Sequence, residues 1–459
     1  MSNNTYDILV IGSGVGGMCA AALLSKAGYR TLVVEALPRI GGRCSTIEYR
    51  GFKLTTGVIG VELGGIVESF FKNIEAPFEV RSAGALHYRI GPNVVEVPSR
   101  GGMKYLLEAA GGGSVEVEKL MAAISKAMQW KEPSPNVSLR DWITQHTTNP
   151  AILKVFHTLV AATLLVNINE IEAREFFAFI KALRGVQHFG YSPAGSISLP
   201  AALADIVQQC DGEIWTHSRV KRIFLEDGLV RGALVQQHDK EISVFASAVI
   251  SNASPVKTAE LIGRENLDCD YLKELDSTAV PAKVICLQIA AEQPLFEQNH
   301  LLVTGARRIN AIYQPTLICP EWASEGKHLI IVGASPASSS DPFDAQNEIG
   351  LCLADLKDLF PDVEKNTEIL LAGTYRADWP GMHSWPGRDM PQKTPIINLY
   401  NVGDGVKSSG YTGLPAVVNS GIMVAEEIKQ RLKLLTYSGI SAGPRLDNLG
   451  LSQPSSDHG

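Results

Sequence analysis

The chain has 459 residues, 45% of them apolar or aromatic and 19% charged, with a formal net charge of −7. Mean hydropathy is +0.06 and the pI is about 5.9. Such a composition excludes a disordered or fibrous chain. The acidic balance argues against nucleic acid as a partner, and the length exceeds what one core supports, so two intertwined domains are expected.

The seven cysteines (Cys19, Cys44, Cys210, Cys269, Cys286, Cys319, Cys352) are scattered, odd in number and without a C-x-x-C pair. Neither a disulfide framework nor a metal site is suggested, and a reducing cytoplasm is the expected location. An apolar strand begins directly after Tyr6, which leaves no room for a signal peptide. No apolar run reaches the ~18 residues that a membrane span needs. Peripheral membrane contact and a homodimer both stay open.

The first element is a strand over Ile8 to Ile11, followed by Gly12-Ser-Gly14-Val15-Gly16-Gly17, a helix over 18–27 stopped by Gly28, and a second strand over 31–35. Strand, glycine turn, helix, strand and acid in this order describe a β-α-β unit for a dinucleotide. Gly14 lets the backbone approach a pyrophosphate, and Gly17 lets the helix lie close on the strand. The phosphates would meet the helix N-terminus, and Glu35, followed by Ala36, is placed to accept hydrogen bonds from a ribose. An arginine at position 35 would have suited a 2′-phosphate; the glutamate argues against NADP.

Behind that strand runs Leu37-Pro-Arg-Ile-Gly41-Gly42-Arg43-Cys44-Ser-Thr46. Glu35 followed by Gly41-Gly42-Arg43 resembles the signature of the flavoprotein superfamily of flavin amine oxidases, protoporphyrinogen oxidases and phytoene desaturases. The resemblance implies FAD, a Rossmann-like domain with a parallel sheet, and contacts from Gly42 and Arg43 to the pyrophosphate or the flavin edge.

Residues 50 to 100 mix short strands with a helix over 64–73, as in a substrate domain. From 138 to 184 the chain reads as a helical cap, with apolar runs at 158–168 and 175–184. The Phe-rich run is compatible with core packing, a substrate tunnel or a membrane surface. Tyr191 to Leu203, Gly212 to Phe224 and Ala248 to Pro255 then resemble the phytoene desaturase branch returning to the FAD domain. That likeness gives Val220 a backbone contact to the adenine and puts Asn252 at the end of the return strand.

A second excursion, 280–380, carries strands over 283–290, 328–333 and 368–375 and a helix over 344–360. The expected partition is 1–75, 192–275 and 390–435 for FAD, 76–191 and 276–389 for substrate, and a tail at 436–459 rich in Gly, Ser, Pro and Asp.

Near the far end, Ile396-Ile-Asn-Leu-Tyr-Asn-Val-Gly403-Asp404 leads through Gly410-Tyr411-Thr412-Gly413-Leu414-Pro415 into an apolar helix. The strand end offers Gly403 and the Asp404 carboxylate to ribityl hydroxyls. Gly410 and Gly413 are expected to let the backbone approach a planar ring, with Thr412 and Leu414 beside it. The helix N-terminus would stabilise the charge that develops on the ring when it is reduced.

No second G-x-G-x-x-G follows a strand, so oxygen, a quinone or a carrier protein is the expected electron acceptor. Amine oxidases of the superfamily carry a lysine on the strand matched by Val284 to Phe296, where this chain has Cys286. Lys283 falls on the opposite face. Tyr411 and Trp385 are the expected aromatic walls, Trp385 belonging to the repeat Trp379-Pro-Gly-Met-His383-Ser-Trp385-Pro-Gly, and His383 is the expected proton acceptor. No cysteine lies near the ring, so the FAD is expected to be non-covalent. The resemblance thus implies an FAD-dependent dehydrogenase of the phytoene desaturase-like branch acting on a small apolar, cyclic or polyene substrate. Amine oxidation, redox-neutral isomerisation and flavin binding without turnover are the alternatives.

Overall fold

The computed structural model describes residues 4–129, 136–183, 186 and 188–432. Arg184 of the Phe-rich run and the expected tail at 436–459 lie outside the described residues.

The first sheet takes the strands in the spatial order Glu213–Trp215, Thr31–Val34, Thr5–Ile11, Lys240–Ser251, Leu229–Gln237, Ser218–Glu226. The first four are parallel, and Leu399–Asn401 joins in parallel beside the end of Lys240–Ser251. A parallel sheet is covered on both faces, which is why Thr5–Ile11 reads as an unbroken apolar run. Its successive side chains part accordingly. Ile8 and Val10 join the core formed with helix Val15–Lys26, while Leu9 and Ile11 join the core beneath strands 218–237 and helix Pro255–Ile262.

Helix Gly413–Arg431 lies against Val15–Lys26, so the two ends of the chain share one core. A Cβ at Gly421 would stand 2.7 Å from Gly16 O and 2.8 Å from Cys19 Cβ, which shows how close the two helices run.

The second sheet has the order Thr367–Tyr375, Val284–Ala291, His328–Ala334, Ile309–Tyr313, His300–Val303, His87–Ile90, Asn93–Glu96, antiparallel except where 300–303 meets 87–90. Strand 284–291 alternates cleanly. Ile285, Leu287 and Ile289 go under helix Ala345–Leu359, whereas Cys286 turns to the other side. Over the sheet lie the cap helices, including Pro150–Leu164 and Ala173–Ala182, whose Phe156, Phe176, Phe177 and Phe179 are buried among one another. Core packing therefore accounts for these phenylalanines. Among the described residues no helix is long and apolar enough to cross a membrane.

Candidate active site

One cavity of about 650 Å³ lies between the two sheets. Strand Thr5–Ile11 delivers the glycine turn into it, and helix Val15–Lys26 starts there with Gly14 as its N-cap and no side-chain cap. The first amides of that helix are left for a ligand. Thr412 caps helix Gly413–Arg431 equally without a side-chain bond, so two uncapped helix N-termini face the same cavity.

Asn252 fills the space among the glycines. A Cβ at Gly14 would stand 2.3 Å from Asn252 Nδ2, one at Gly16 2.9 Å from Oδ1, and one at Gly403 3.1 Å from Oδ1. Gly17 lies under the cavity floor, where a Cβ would meet Gly12 O at 2.5 Å; this is the helix-on-strand contact its spacing predicts. The Glu35 carboxylate, 7% exposed, accepts from Ser13 N (2.9 Å), Ser13 Oγ (2.7 Å) and Leu37 N (2.8 Å). Val220 borders the cavity at a register shift between Val220 and Arg222, so its strand bends where it meets the site.

Residues more than 350 positions apart meet at the polar centre. Arg43 grips Asp404 with two bonds, Nη1 to Oδ2 at 2.7 Å and Nη2 to Oδ1 at 2.8 Å, and donates from Nη1 to the carbonyls of Pro380 and Gly381. His383 Nδ1 stands 2.7 Å from Asp404 Oδ1 and 3.0 Å from Arg43 Nη2. Burial alone would raise the Asp404 carboxyl, but Arg43 and His383 overrule it and hold it well below the usual carboxylate range. Beneath, Lys407 Nζ joins Asp389 Oδ1 (2.7 Å) to Asp404 O (2.7 Å).

Gly12, Gly14, Val15, Gly16, Glu35, Ala36, Gly42, Arg43, Val220, Asn252, Gly403, Asp404, Thr412, Gly413 and Leu414 all border this cavity, as does His383. Two of the residues expected to be aromatic walls are elsewhere. Tyr411 borders a separate cavity of about 240 Å³ with Phe179 and Pro415, because the residues just before it are tied to the cap. Glu175 there accepts from Ser409 Oγ at 2.9 Å and Gly410 N at 3.3 Å. Gly410 accordingly serves that approach instead of a ring, since a Cβ on it would stand 2.7 Å from Ala178 O. Trp385 is packed in the cap core, with the Arg388 guanidinium 5.2 Å from its ring centre. Trp379 of the same repeat borders the cavity, its indole N–H donating to Thr56 O at 3.2 Å.

Glu62, on strand Val61–Leu63, did not stand out in the sequence and borders both cavities. Its Oε2 is buried without a hydrogen-bond partner. Burial pushes this carboxyl up to about 7, its own backbone amide opposing only in part. A lone acid in a three-residue strand offers a reader no signal of either kind.

The residues present fit a dinucleotide. The glycine turn has no room for side chains against Asn252 and Gly12 O, so it presents bare backbone to the cavity; the two bare helix N-termini suit anionic and electron-rich groups, and Glu35 suits a ribose. The comparisons with known proteins agree. Residues 15–429 match the family model described as flavin containing amine oxidoreductase. An uncharacterized protein of Methanocaldococcus jannaschii is 27% identical over 87% of this chain and 94% of its own length. The 15-cis-phytoene desaturase of Solanum lycopersicum is 21% identical over 94% of this chain and 78% of its own. A crystal structure of an oxidoreductase from Methanosarcina mazei superposes with a TM-score of 0.82 at 28% identity, covering 92% of this chain and all of that one. The chain belongs to the flavin-containing amine oxidoreductase family and is an FAD-dependent oxidoreductase.

Proposed function

We propose that the protein is a dehydrogenase that removes a hydride and a proton from adjacent carbons of a small, largely apolar substrate, turning a C–C bond into C=C. The observation that carries this reading is the cavity wall away from the glycine cradle. Ile59, Leu165, Val284, Cys286, Tyr313 and Tyr375 form it, and Lys283 sends its Nζ to Asp341 O instead. Burial pushes the Cys286 thiol up to about 12, so this wall presents a neutral, apolar face. The likeness to a phytoene desaturase over most of the chain supports the same reading.

FAD in the cradle supplies the acceptor for the hydride and its two electrons. Non-covalent binding is part of the proposal: Gly12 to Gly17, Glu35 and Ala36 hold the adenosine and pyrophosphate, Val220 the adenine, and Gly403, Asp404 and Thr412 to Leu414 the ribityl chain and ring. Arg43 and His383 fix the Asp404 carboxylate in place. Residues 1–75, 192–275 and 390–435 then serve the cofactor, and 76–191 and 276–389 the substrate. Oxygen, a quinone or a carrier protein takes the electrons onward.

An amine is the second reading, favoured by the Glu62 carboxyl, whose Oε2 is buried without a partner at the edge of this largely apolar wall. Anaerobic titration of the FAD-loaded protein with polyenes, cyclic ketones and primary amines separates the two. Bleaching of the yellow absorbance with formation of an alkene or enone is expected. Peroxide and imine from amines alone would replace the first reading by the second, and no bleaching with any compound would leave a flavin-binding protein without turnover.

A further inference from the structure

The second cavity has no part in the reading above, yet it meets the first at Glu62 and Thr412. Its rim reaches the exposed Ala182 at the end of cap helix Ala173–Ala182, so it connects this junction with the outside. A carboxyl placed between a reaction chamber and a second compartment, with one oxygen unpartnered, is arranged to take a proton on one side and release it on the other.

We propose that Glu62 is the catalytic proton acceptor of the main cavity and that the second cavity is the path by which its proton leaves. This rests on the dehydrogenase reading. FAD, when bound, would supply the acceptor for the hydride and its two electrons from one substrate C–H bond; the neighbouring C–H would give its proton to the Glu62 carboxylate, and the electron pair left behind would become the second bond of C=C. The carboxyl then loses its proton to water in the second cavity.

The surroundings leave Glu62 free for this. Strand His188–Tyr191, paired with its own strand, carries His188; strand Arg81–Ser82 carries Arg81, which is engaged by Glu321; helix Ile66–Asn73 carries Glu68, bonded to Gly64 N. The cap helix contributes Glu175, held by Ser409, and the exposed Lys181, while Tyr411 faces the second cavity. Across the main cavity, Arg43, Asp404 and His383 satisfy one another, Glu35 is held by Ser13 and Leu37 and Lys257 by Glu260, and Cys44, Arg219, Tyr313, Tyr375, Cys286 and Asp378 complete the titratable groups of its lining. A carboxyl that titrates near neutrality is matched to accepting and releasing a proton at working pH.

The test compares FAD-loaded wild type, Glu62→Gln and Ala182→Trp. In wild type, infrared titration is expected to show a carboxylic C=O band lost near pH 7, and the flavin midpoint potential to bend with pH at the same place. Glu62→Gln should keep the yellow chromophore, lose band and bend together, and slow flavin reduction by the substrate found in the anaerobic titration about a hundredfold. Ala182→Trp should keep the band and slow proton release, followed with an indicator dye. Band and bend unchanged in Glu62→Gln overturn the proposal. So does n-butylamine converting the band to carboxylate while Glu62→Gln dehydrogenates at the wild-type rate. If no alkene forms from any substrate, the dehydrogenase reading fails. If alkene forms equally fast in Glu62→Gln, that reading survives and only the role of Glu62 falls.

Discussion

The two ends of the main cavity are built on opposite terms. At the cradle end the buried charges are met by protein partners: Glu35 by Ser13 and Leu37, Asp404 by Arg43 and His383, Lys407 by Asp389. At the far end the wall is largely apolar, and one of its two carboxyls, Glu62, has a buried oxygen with no partner; the other is Asp378. Saturated charges hold position and resist change, because removing one partner strands the other in a poorly solvated site. An unsaturated carboxyl does the reverse: it stays responsive to pH and to whatever enters. The difference separates residues that hold from residues that react.

The hardest test of the saturated end is Asp404→Ala. It leaves Arg43, whose side chain is 22% exposed, without its carboxylate and His383 without its partner. Breaking such a pair costs about 3–5 kcal/mol, and urea unfolding should show a loss of that size together with loss of FAD. A cost below ~1 kcal/mol would mean that the pair behaves like a surface bridge and that the two ends are not different in kind.

The unsaturated end predicts a pH dependence of opposite sign from an ordinary carboxylate. Glu62 rises from its usual 4.5 to about 7 on folding. Between those values the native protein keeps a proton that the unfolded chain has released, so stability falls as pH rises from about 4.5 to about 7 and then levels. At ~1.4 kcal/mol per pH unit the fall is about 3.5 kcal/mol at most, less where cavity water solvates the carboxyl. Asp404, held low, gives stability that is lost only when pH falls through its depressed range, outside this window. Thermal unfolding between pH 5 and 8 should slope for wild type and flatten in Glu62→Gln. Equal slopes would erase the contrast.

A smaller effect is expected where the cradle depends on packing alone. Gly421→Val would press side-chain atoms onto Gly16 O and Cys19 Cβ, moving the first helix off the last. Overpacking of this kind costs about 1–3 kcal/mol. Calorimetry should show that loss, and FAD should bind more weakly, because Gly16 belongs to the turn that borders the cavity.

What was legible in the sequence follows the same division. The β-α-β unit, Gly41-Gly42-Arg43 and Gly403-Asp404 could be read because each requires particular residue types at fixed local spacing, and each borders the cavity. Strand ends were read within about three residues: Thr31–Val34 stops one short of Glu35, and Thr5–Ile11 begins three before Ile8. Tyr411 and Trp385 were harder, since their directions are decided by distant partners. Glu175 reaches from the cap to bind Ser409 and Gly410, and Trp385 is claimed by the cap core while Trp379, six residues earlier, takes the wall. Glu62 was invisible because its meaning comes from what is missing around it, and a sequence does not display an absent partner.

The smallest expected effect belongs to Tyr411→Phe, and its smallness is the point. The ring borders the second cavity, and Tyr411 N already bonds Ser408 O, so the loop keeps its course without the hydroxyl. Stability should change by less than ~0.5 kcal/mol, the range of substitutions that touch no special feature. FAD content and the rate of flavin reduction should stay at wild-type values. Trp379→Phe supplies the scale: it removes the indole donor from Thr56 O on the main cavity wall, a bond worth about 1 kcal/mol, and should alter substrate affinity as well. If Tyr411→Phe abolishes turnover while Trp379→Phe does not, the ring wall lies on the second cavity, and that smaller chamber, lined by Phe179, Tyr411 and Pro415, is where the substrate sits.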